Sequence, residues 1–312
     1  MIFQDLHINT PLVEVGNWHK AHQKPALFKM DALQPCGSFK IRGIGRLCTK
    51  AVLGHGATSI VCASGGNAGY AAAWAGRELG VGVTVVVPES TLIETQQAIK
   101  AVGAEVITHG KSFDDAHVLA CSIAQSKGAV YVHPFDHPLL WQGHATLIDE
   151  VVGAGADFDC VVTSVGGGGL MLGILEGLRK NGLANTPIIA IETHGTASLN
   201  ASLAAGHLVT LPEVKSIATS LAAKTIAPAA FAAAVECNII SLQVSDSEAV
   251  AGCLAMADRY RILVEPACGA AVAALDVHSD VLAQFQRPLV VVCGGIGVSL
   301  ERLTKWSTLA MD

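Results

Sequence analysis

The chain has 312 residues, with 20 Lys and Arg against 26 Asp and Glu for a net charge of −6, and it is 51% hydrophobic and 15% charged. That length and apolar fraction exclude a disulfide-stapled miniature and a disordered chain, and leave room for two ordinary domains. An acidic balance without a dense Lys/Arg cluster argues against a nucleic-acid partner.

The longest stretch free of charged side chains, residues 51–76, holds six Gly, an Asn and a His. A lipid-facing helix of about 20 residues would not tolerate these, so no membrane segment is expected. The start Met1-Ile2-Phe3-Gln4-Asp5-Leu6-His7 has no basic region followed by an apolar run, and no secretory leader is expected. Nine Cys, an odd number with no C-x-x-C pair, fit free thiols in a reducing cytoplasm better than a disulfide framework or a zinc site.

In chain order, the middle of the sequence repeats a β-branched run, a Gly-bearing turn and a helix-compatible stretch, the pattern of βα units on a parallel sheet. A strand is expected over 58–62, a turn over 63–67 and an Ala-rich helix over 68–79 closed by Gly80. A strand over 83–87 ended by Pro88, a helix over 93–102 stopped by Gly103 and a short strand over 104–108 follow. Further on come a strand over 160–165, a turn over 166–169, a helix over 170–179 and strands over 188–191 and 288–293. No repeat, low-complexity tract or Ser/Pro-rich linker is present. The best candidate for a domain boundary is His133-Pro134-Phe135-Asp136-His137-Pro138, where two prolines interrupt the rhythm.

Four places could carry chemistry. In Pro35-Cys36-Gly37-Ser38-Phe39-Lys40, Ser38 can cap a helix and Lys40 emerges on its first turn, where amide dipoles disfavour an ammonium. Such a Lys suits Schiff-base chemistry, or is a surface residue at a helix start. Ser64-Gly65-Gly66-Asn67 can gather backbone N–H groups on a carboxylate, or is an ordinary tight βα turn. Gly166-Gly167-Gly168-Gly169 sacrifices backbone entropy at a helix N-terminus, for which a phosphate is the simplest reason. It is not a Walker A loop, and only Glu192 keeps a dinucleotide alternative alive. Cys293 ends a buried strand, where its thiol touches a ligand or packs in the core. His133 and His137 are spaced i, i+4, but the prolines after them oppose a shared helical face. Asp114, Asp115, Asp149 and Glu150 read most simply as solvated helix charges.

Taken together, Lys40, a carboxylate turn, a phosphate turn and a polar residue at a terminal strand meet the demands of pyridoxal phosphate. The sequence resembles the cytosolic L-serine/L-threonine dehydratases of fold type II, the tryptophan synthase β family. The resemblance rests on residues 37–45, 66–69, 134–136, 164–170, 263–271 and 292–295, spread over nearly the whole chain. It implies two open parallel-sheet α/β domains, a large one over 1–33 and 136–312 and a small one over 34–135. It also implies that Lys40 holds pyridoxal 5'-phosphate as a Schiff base with Phe39 beside the ring and Asn67 on the ring's 3-oxygen. Gly166, Gly167, Gly168 and Gly169 cradle the phosphate, Cys293 faces the pyridine nitrogen, and Ser64 with the amides of Gly65, Gly66 and Asn67 takes the substrate carboxylate. Glu192, Ala197 and Ser198 stand where a monovalent cation such as K+ is held.

The implied reaction is loss of water from L-serine, with Lys40 as base at Cα and the cofactor phosphate protonating the departing hydroxyl. It yields pyruvate and ammonia, or 2-oxobutanoate from L-threonine. A cytoplasmic homodimer in amino-acid catabolism and gluconeogenesis belongs to the same expectation. The chain ends nineteen residues after Cys293, so no isoleucine-binding effector domain is expected. Gly65 departs from the Ala of liver-type enzymes, and the segment 220–225 carries fewer Gly than relatives. A serine racemase, a sulfide-adding synthase or a weakly active amino-acid binder on the same scaffold are the alternatives.

Overall fold

The structure, a computed structural model, describes residues 5–16 and 25–309. Met1, Ile2, Phe3 and Gln4, part of the segment read as having no leader, and the terminal Asp312 lie outside the described residues. In chain order the strands are β1 (Leu12–Val15), β2 (Ala26–Lys29), β3 (Ser59–Ala63), β4 (Gly82–Val87) and β5 (Glu105–Thr108). They continue with β6 (Val130–Val132), β7 (Cys160–Ser164), β8 (Ile188–Thr193), β9 (Ile239–Val244) and β10 (Pro288–Val291). The helices run α1 (Lys40–Thr49), α2 (Asn67–Leu79), α3 (Ile93–Ala101), α4 (Phe113–Lys127), α5 (Pro138–Gly153) and α6 (Gly169–Lys180). After them come α7 (Ser198–Ala205), α8 (Pro228–Glu236), α9 (Asp246–Tyr260), α10 (Pro266–Val277), α11 (Ser279–Leu282) and α12 (Leu300–Leu309).

Two units result. The first takes the described residues up to Ile8 with Gln34–His144, and the second takes Asn9–Leu33 with the chain from Ala145 onward. Relative to the expected division at 33/34 and 135/136, residues 5–8 and 136–144 fall with the first unit. Packing explains both shifts. Leu6 lies against Gly45, and a Cβ on Gly43 would sit 2.6 Å from the His144 ring. The proline-rich 133–138 segment is therefore a turn into α5 inside the first unit.

The sheet of the first unit has strand order β5-β4-β3-β6, all parallel. Because successive side chains of a strand point to opposite faces, Ile60 and Cys62 join Ile41, Ile44, Ala71 and Ala75 from α1 and α2. On the other face Val61 and Ala63 join Ala116, Ala120 and Ala124, the i, i+4, i+8 stripe of α4. Both faces are covered, which is why these strands read as near-continuous apolar runs. Helix ends follow the residues expected to stop them: Gly80 closes α2 at φ 68°, and Gly103 follows α3 at φ 106°.

The second sheet runs β1-β2-β10-β7-β8-β9, parallel except for the β1–β2 hairpin. Helix α10 packs over β7, β8, β9 and β10, and is buried from Pro266 through Leu275. Its contact with α9 is made by backbone. A Cβ on Gly269 would stand 2.1 Å from the Ala249 carbonyl, and one on Gly252 would stand 2.1 Å from the Gly269 carbonyl.

Asp115 is exposed, as its sequence suggests, and completes a capping box with Ser112 at the start of α4. Two other acidic residues are not the solvated charges their sequence suggests. Asp149 binds Lys180 and Asn181. Glu150 meets the ammonium of Lys29, whose side chain is only 1% exposed. Its partner lies more than a hundred residues away, so no local pattern announces the pair.

Gly269→Ala forces α9 and α10 apart at a contact with no room to yield. A loss of about 2 kcal/mol is expected, read as a lower urea midpoint.

Candidate active site

In the first unit Cys62 of β3 pairs with Val132 of β6, so the segments after these strands leave the same end of the sheet. One is Ser64-Gly65-Gly66, leading into α2, whose N-terminus receives no side-chain cap. Ser64 Oγ accepts the Gly66 amide at 3.3 Å, which leaves its O–H to donate. Asn67, the first residue of the helix, is buried. Small residues are required here by space. A Cβ at Gly69 would fall 2.0 Å from the Ser64 carbonyl oxygen, and a Cβ at Gly65 would fall 2.2 Å from Thr91 Oγ1.

The other segment, 133–137, receives the candidate lysine. Lys40 is half-buried at the first position of α1, and its Nζ donates to the Pro134 carbonyl at 2.7 Å. The same ammonium stands 5.0 Å from the centroid of the Phe39 ring. Ser38 does not cap the helix. Phe39 occupies the cap position in helical geometry, which places Ser38 one residue outside it, with its Oγ buried and without a partner.

His133 and His137 each close a backbone turn through Nδ1. His133 accepts the amides of Phe135 and Asp136 at 3.3 and 2.8 Å, and His137 accepts that of Leu139 at 3.1 Å. Among the described residues no group of three His, Cys, Asp or Glu is arranged to hold a metal.

His144 went unremarked in the sequence. It is fully buried, its ring packs on Phe39 at 4.9 Å, and neither ring nitrogen has a hydrogen-bond partner. Burial first, then the charges of Lys40, Arg42 and His7, push its pKa well below the usual imidazole value, so it is neutral.

In the second unit, β7 ends at Ser164 and the chain enters the four-glycine turn before α6. Gly168 takes the cap position at φ 88°, with no side-chain cap on the helix amides. Leu221 Cα and the Ser220 carbonyl oxygen lie 3.0 and 3.1 Å from where a Gly166 side chain would begin, and Ala230 blocks one at Gly168. The turn thus presents bare backbone at a helix N-terminus of 12 residues, the arrangement that favours an anion.

Cys293, 5% exposed, follows β10 beside β7, and its Sγ is 3.6 Å from Ser164 Oγ. The strand itself stops at Val291, two residues short of the expected end. Cys268 on α10 is held well above the ordinary thiol pKa, by burial first and then by the neighbouring Cys293.

Glu192 on β8 is completely buried, and its two carboxylate oxygens accept the amides of Leu199 and Asn200 at 2.9 and 2.8 Å. It caps α7, whose first residues are Ser198 and Leu199. Burial outweighs these two bonds and pushes its pKa up to about 7. Ala197 and Ser198 are buried beside it in sequence, and Ser198 Oγ has no partner.

The sequence matches the family described as pyridoxal-phosphate dependent enzyme over residues 3–294. The chain belongs to this family. Among relatives, the human protein named serine dehydratase-like is 42% identical over 98% of this chain and 95% of its own length. The human L-serine dehydratase/L-threonine deaminase is 43% identical over 96% and 94%. A crystal structure of a fungal L-serine ammonia-lyase from Rhizomucor miehei superposes with a TM-score of 0.91 at 33% identity, covering 98% of this chain and 99% of that one. Membership gives the two parallel-sheet units the fold type II architecture.

Each unit, taken by itself, carries groups of the kind the family's cofactor needs. The uncapped glycine turn offers amides for a phosphate, Lys40 offers an amine at the end of the first sheet, and Cys293 offers a thiol at the end of the second.

A raised carboxyl pKa contributes stability that is full below the unfolded value near 4.5 and is lost as pH rises through about 7. In cation-free buffer the second unit is therefore expected to weaken between about pH 4.5 and 7 by up to about 1.4 kcal/mol per pH unit. Glu192→Gln should flatten that slope in a urea-unfolding series.

Proposed function

We propose that the protein is a pyridoxal-phosphate dependent L-serine/L-threonine ammonia-lyase, and that Lys40 carries the reaction. The observation that carries this reading is the placement of Lys40 Nζ at 2.7 Å from the Pro134 carbonyl, at the same sheet end as Ser64-Gly65-Gly66-Asn67. The names of its relatives, which share more than two-fifths of its residues over nearly their full length, support it.

When bound, the cofactor supplies an aldehyde that takes up the substrate amine and a conjugated ring that spreads the charge developing at Cα. The amides of the Gly166-Gly167-Gly168-Gly169 turn hold its phosphate against the N-terminus of α6. Phe39 would pack beside the ring, Asn67 would bond its 3-oxygen, and Cys293, 3.6 Å from Ser164 Oγ, would offer its nitrogen a thiol. Ser64 Oγ donates to the substrate carboxylate together with the amides of the same turn. Lys40 Nζ takes the Cα proton, and the Pro134 carbonyl accepts a hydrogen bond from the ammonium so formed. In the net reaction the proton taken from Cα and the β-hydroxyl are lost together as water, and the enamine so left hydrolyses to pyruvate and ammonia from serine or to 2-oxobutanoate and ammonia from threonine.

A monovalent cation such as K+ belongs beside Glu192, Ala197 and Ser198. The buried carboxylate uses two of its roughly four lone-pair positions on amides, and the Ser198 hydroxyl is buried without a partner. The reading extends to a homodimer working in catabolism in the cytoplasm. Seven buried thiols and two half-buried ones, all free, suit a reducing compartment. No described helix is long and apolar enough to cross a membrane.

The purified protein should show a visible cofactor band that L-serine perturbs while pyruvate accumulates. Lys40→Ala is expected to lower kcat by at least about a thousandfold. A cofactor band with no pyruvate from either amino acid would move the reading to a racemase or a binder.

The cation is tested by stability. K+ replacing a bulky organic cation should raise Tm more at pH 8 than at pH 6, because at the lower pH it competes with the proton on Glu192. The difference should vanish in Glu192→Gln.

A further inference from the structure

The turn that receives Lys40 is built by a side chain with no assigned part in the reaction. His133 lies just past β6, half-buried, with its ring edge-on to Phe135 at 4.6 Å and to His117 at 5.8 Å. Its Nδ1 accepts two successive amides, Phe135 N and Asp136 N, which folds residues 133–136 back on the ring. Trp141 Nε1 fastens the same turn from outside by donating to the Phe135 carbonyl at 2.9 Å. The carbonyl between these anchors is that of buried Pro134, the acceptor for Lys40 Nζ.

We propose that His133 is a positioning residue: by accepting the Phe135 and Asp136 amides it fixes the Pro134 carbonyl as the dock that holds Lys40 Nζ whenever the lysine is not joined to the cofactor. The proposal rests on the reading of Lys40 as the Schiff-base lysine.

Two accepted amides require an unprotonated Nδ1, so the proton sits on Nε2 and the ring is neutral. Burial first, then the charges of His117, Lys40 and His137, bring the His133 pKa down to about 4, which secures the neutral form at the pH of the cytoplasm. A positively charged ring would instead lose both acceptor contacts and repel the ammonium it positions. The dock matters because a lysine that alternates between a covalent link and a free amine has four rotatable carbons to wander over. Holding the amine in one place converts its return to the aldehyde from a search into a short movement.

The test uses the full-length protein freed of cofactor and then mixed with pyridoxal phosphate. The Nζ amine condenses with the aldehyde, a C=N bond forms, water leaves, and the visible band of the lysine-bound cofactor grows. Lys40→Ala is the control for the underlying reading, since a band that grows unchanged in that variant overturns the role of Lys40 itself. With that band lost, three variants address the dock. His133→Ala and His133→Phe remove the acceptor, and the Phe variant keeps a ring in the aromatic cluster. His133→Asn keeps an acceptor, because an Asn side-chain oxygen bonds amides two and three residues on.

The band should grow about tenfold more slowly in the Ala and Phe variants, as expected for a fastening worth one or two backbone hydrogen bonds. The Asn variant should stay within about threefold of the wild type. Serine turnover should show the same order in kcat with little change in KM. Tm values within about 3 °C of the wild type separate positioning from unfolding, and if the Ala variant does not fold, the Phe and Asn pair decides. Growth at the wild-type rate in the Phe variant, or an Asn variant as slow as Phe, overturns the proposal.

Discussion

Parallel strands put every strand-to-helix turn at one end of a sheet, and the chemistry of this protein depends on that constraint. A strand followed by a helix can return only to the same starting edge, so the carboxyl ends collect the turns. In the first unit this gathers Ser64, Asn67 and the Pro134 carbonyl around β3 and β6. In the second it gathers Ser164, the four-glycine turn, Glu192 and Cys293 around β10, β7 and β8. Residues far apart in sequence become neighbours without any local signal between them, as Ser164 and Cys293 are at 3.6 Å.

Polar groups taken into these ends need partners, and the chain meets the need unevenly. Lys29 is met by Glu150 and by the Thr10 carbonyl at 2.7 Å. Glu192 is met by two amides, which are not enough to keep its charge favourable at neutral pH. His144 solves the problem by losing its charge altogether. A fully buried polar atom without a partner costs about 1–3 kcal/mol, and Ser38, His144 and Ser198 carry such atoms within two residues of Lys40, against the Phe39 ring and beside Glu192 respectively. Among the described residues Thr49 and Arg287 also carry such atoms, so the candidate residues hold some of the unmet groups, not all of them.

The glycine-bearing turns were legible because their composition is dense and local. Residues 63–67 and 166–169 can be read without knowing what surrounds them, and the helices after them begin within a residue of where the sequence places them. Helix α4 carries no such mark, since its buried stripe is three alanines, which are too small to raise an apolar signal. Ser38 was misplaced as a cap because its neighbour Phe39 is already helical, a backbone fact that residue type does not encode. Glu150 and His144 are defined by tertiary partners, an ammonium from β2 and a ring beside Lys40, and no window of sequence contains both members of either contact.

The order of strands in the second sheet sets a timetable for synthesis. Its central position between β2 and β7 belongs to β10, the last strand to leave the ribosome. Until Pro288–Val291 emerges, the β1–β2 hairpin has no parallel neighbour, and α10 lacks one of the strands that bury it. The first unit suffers no such delay, because all four of its strands lie between Ser59 and Val132. It can close while the remainder is still being made, whereas the second unit holds an open, apolar strand edge for more than a hundred residues of translation. Chaperone dependence and the cost of truncation should both concentrate at that late insertion, whose following residues bring Cys293 to Ser164.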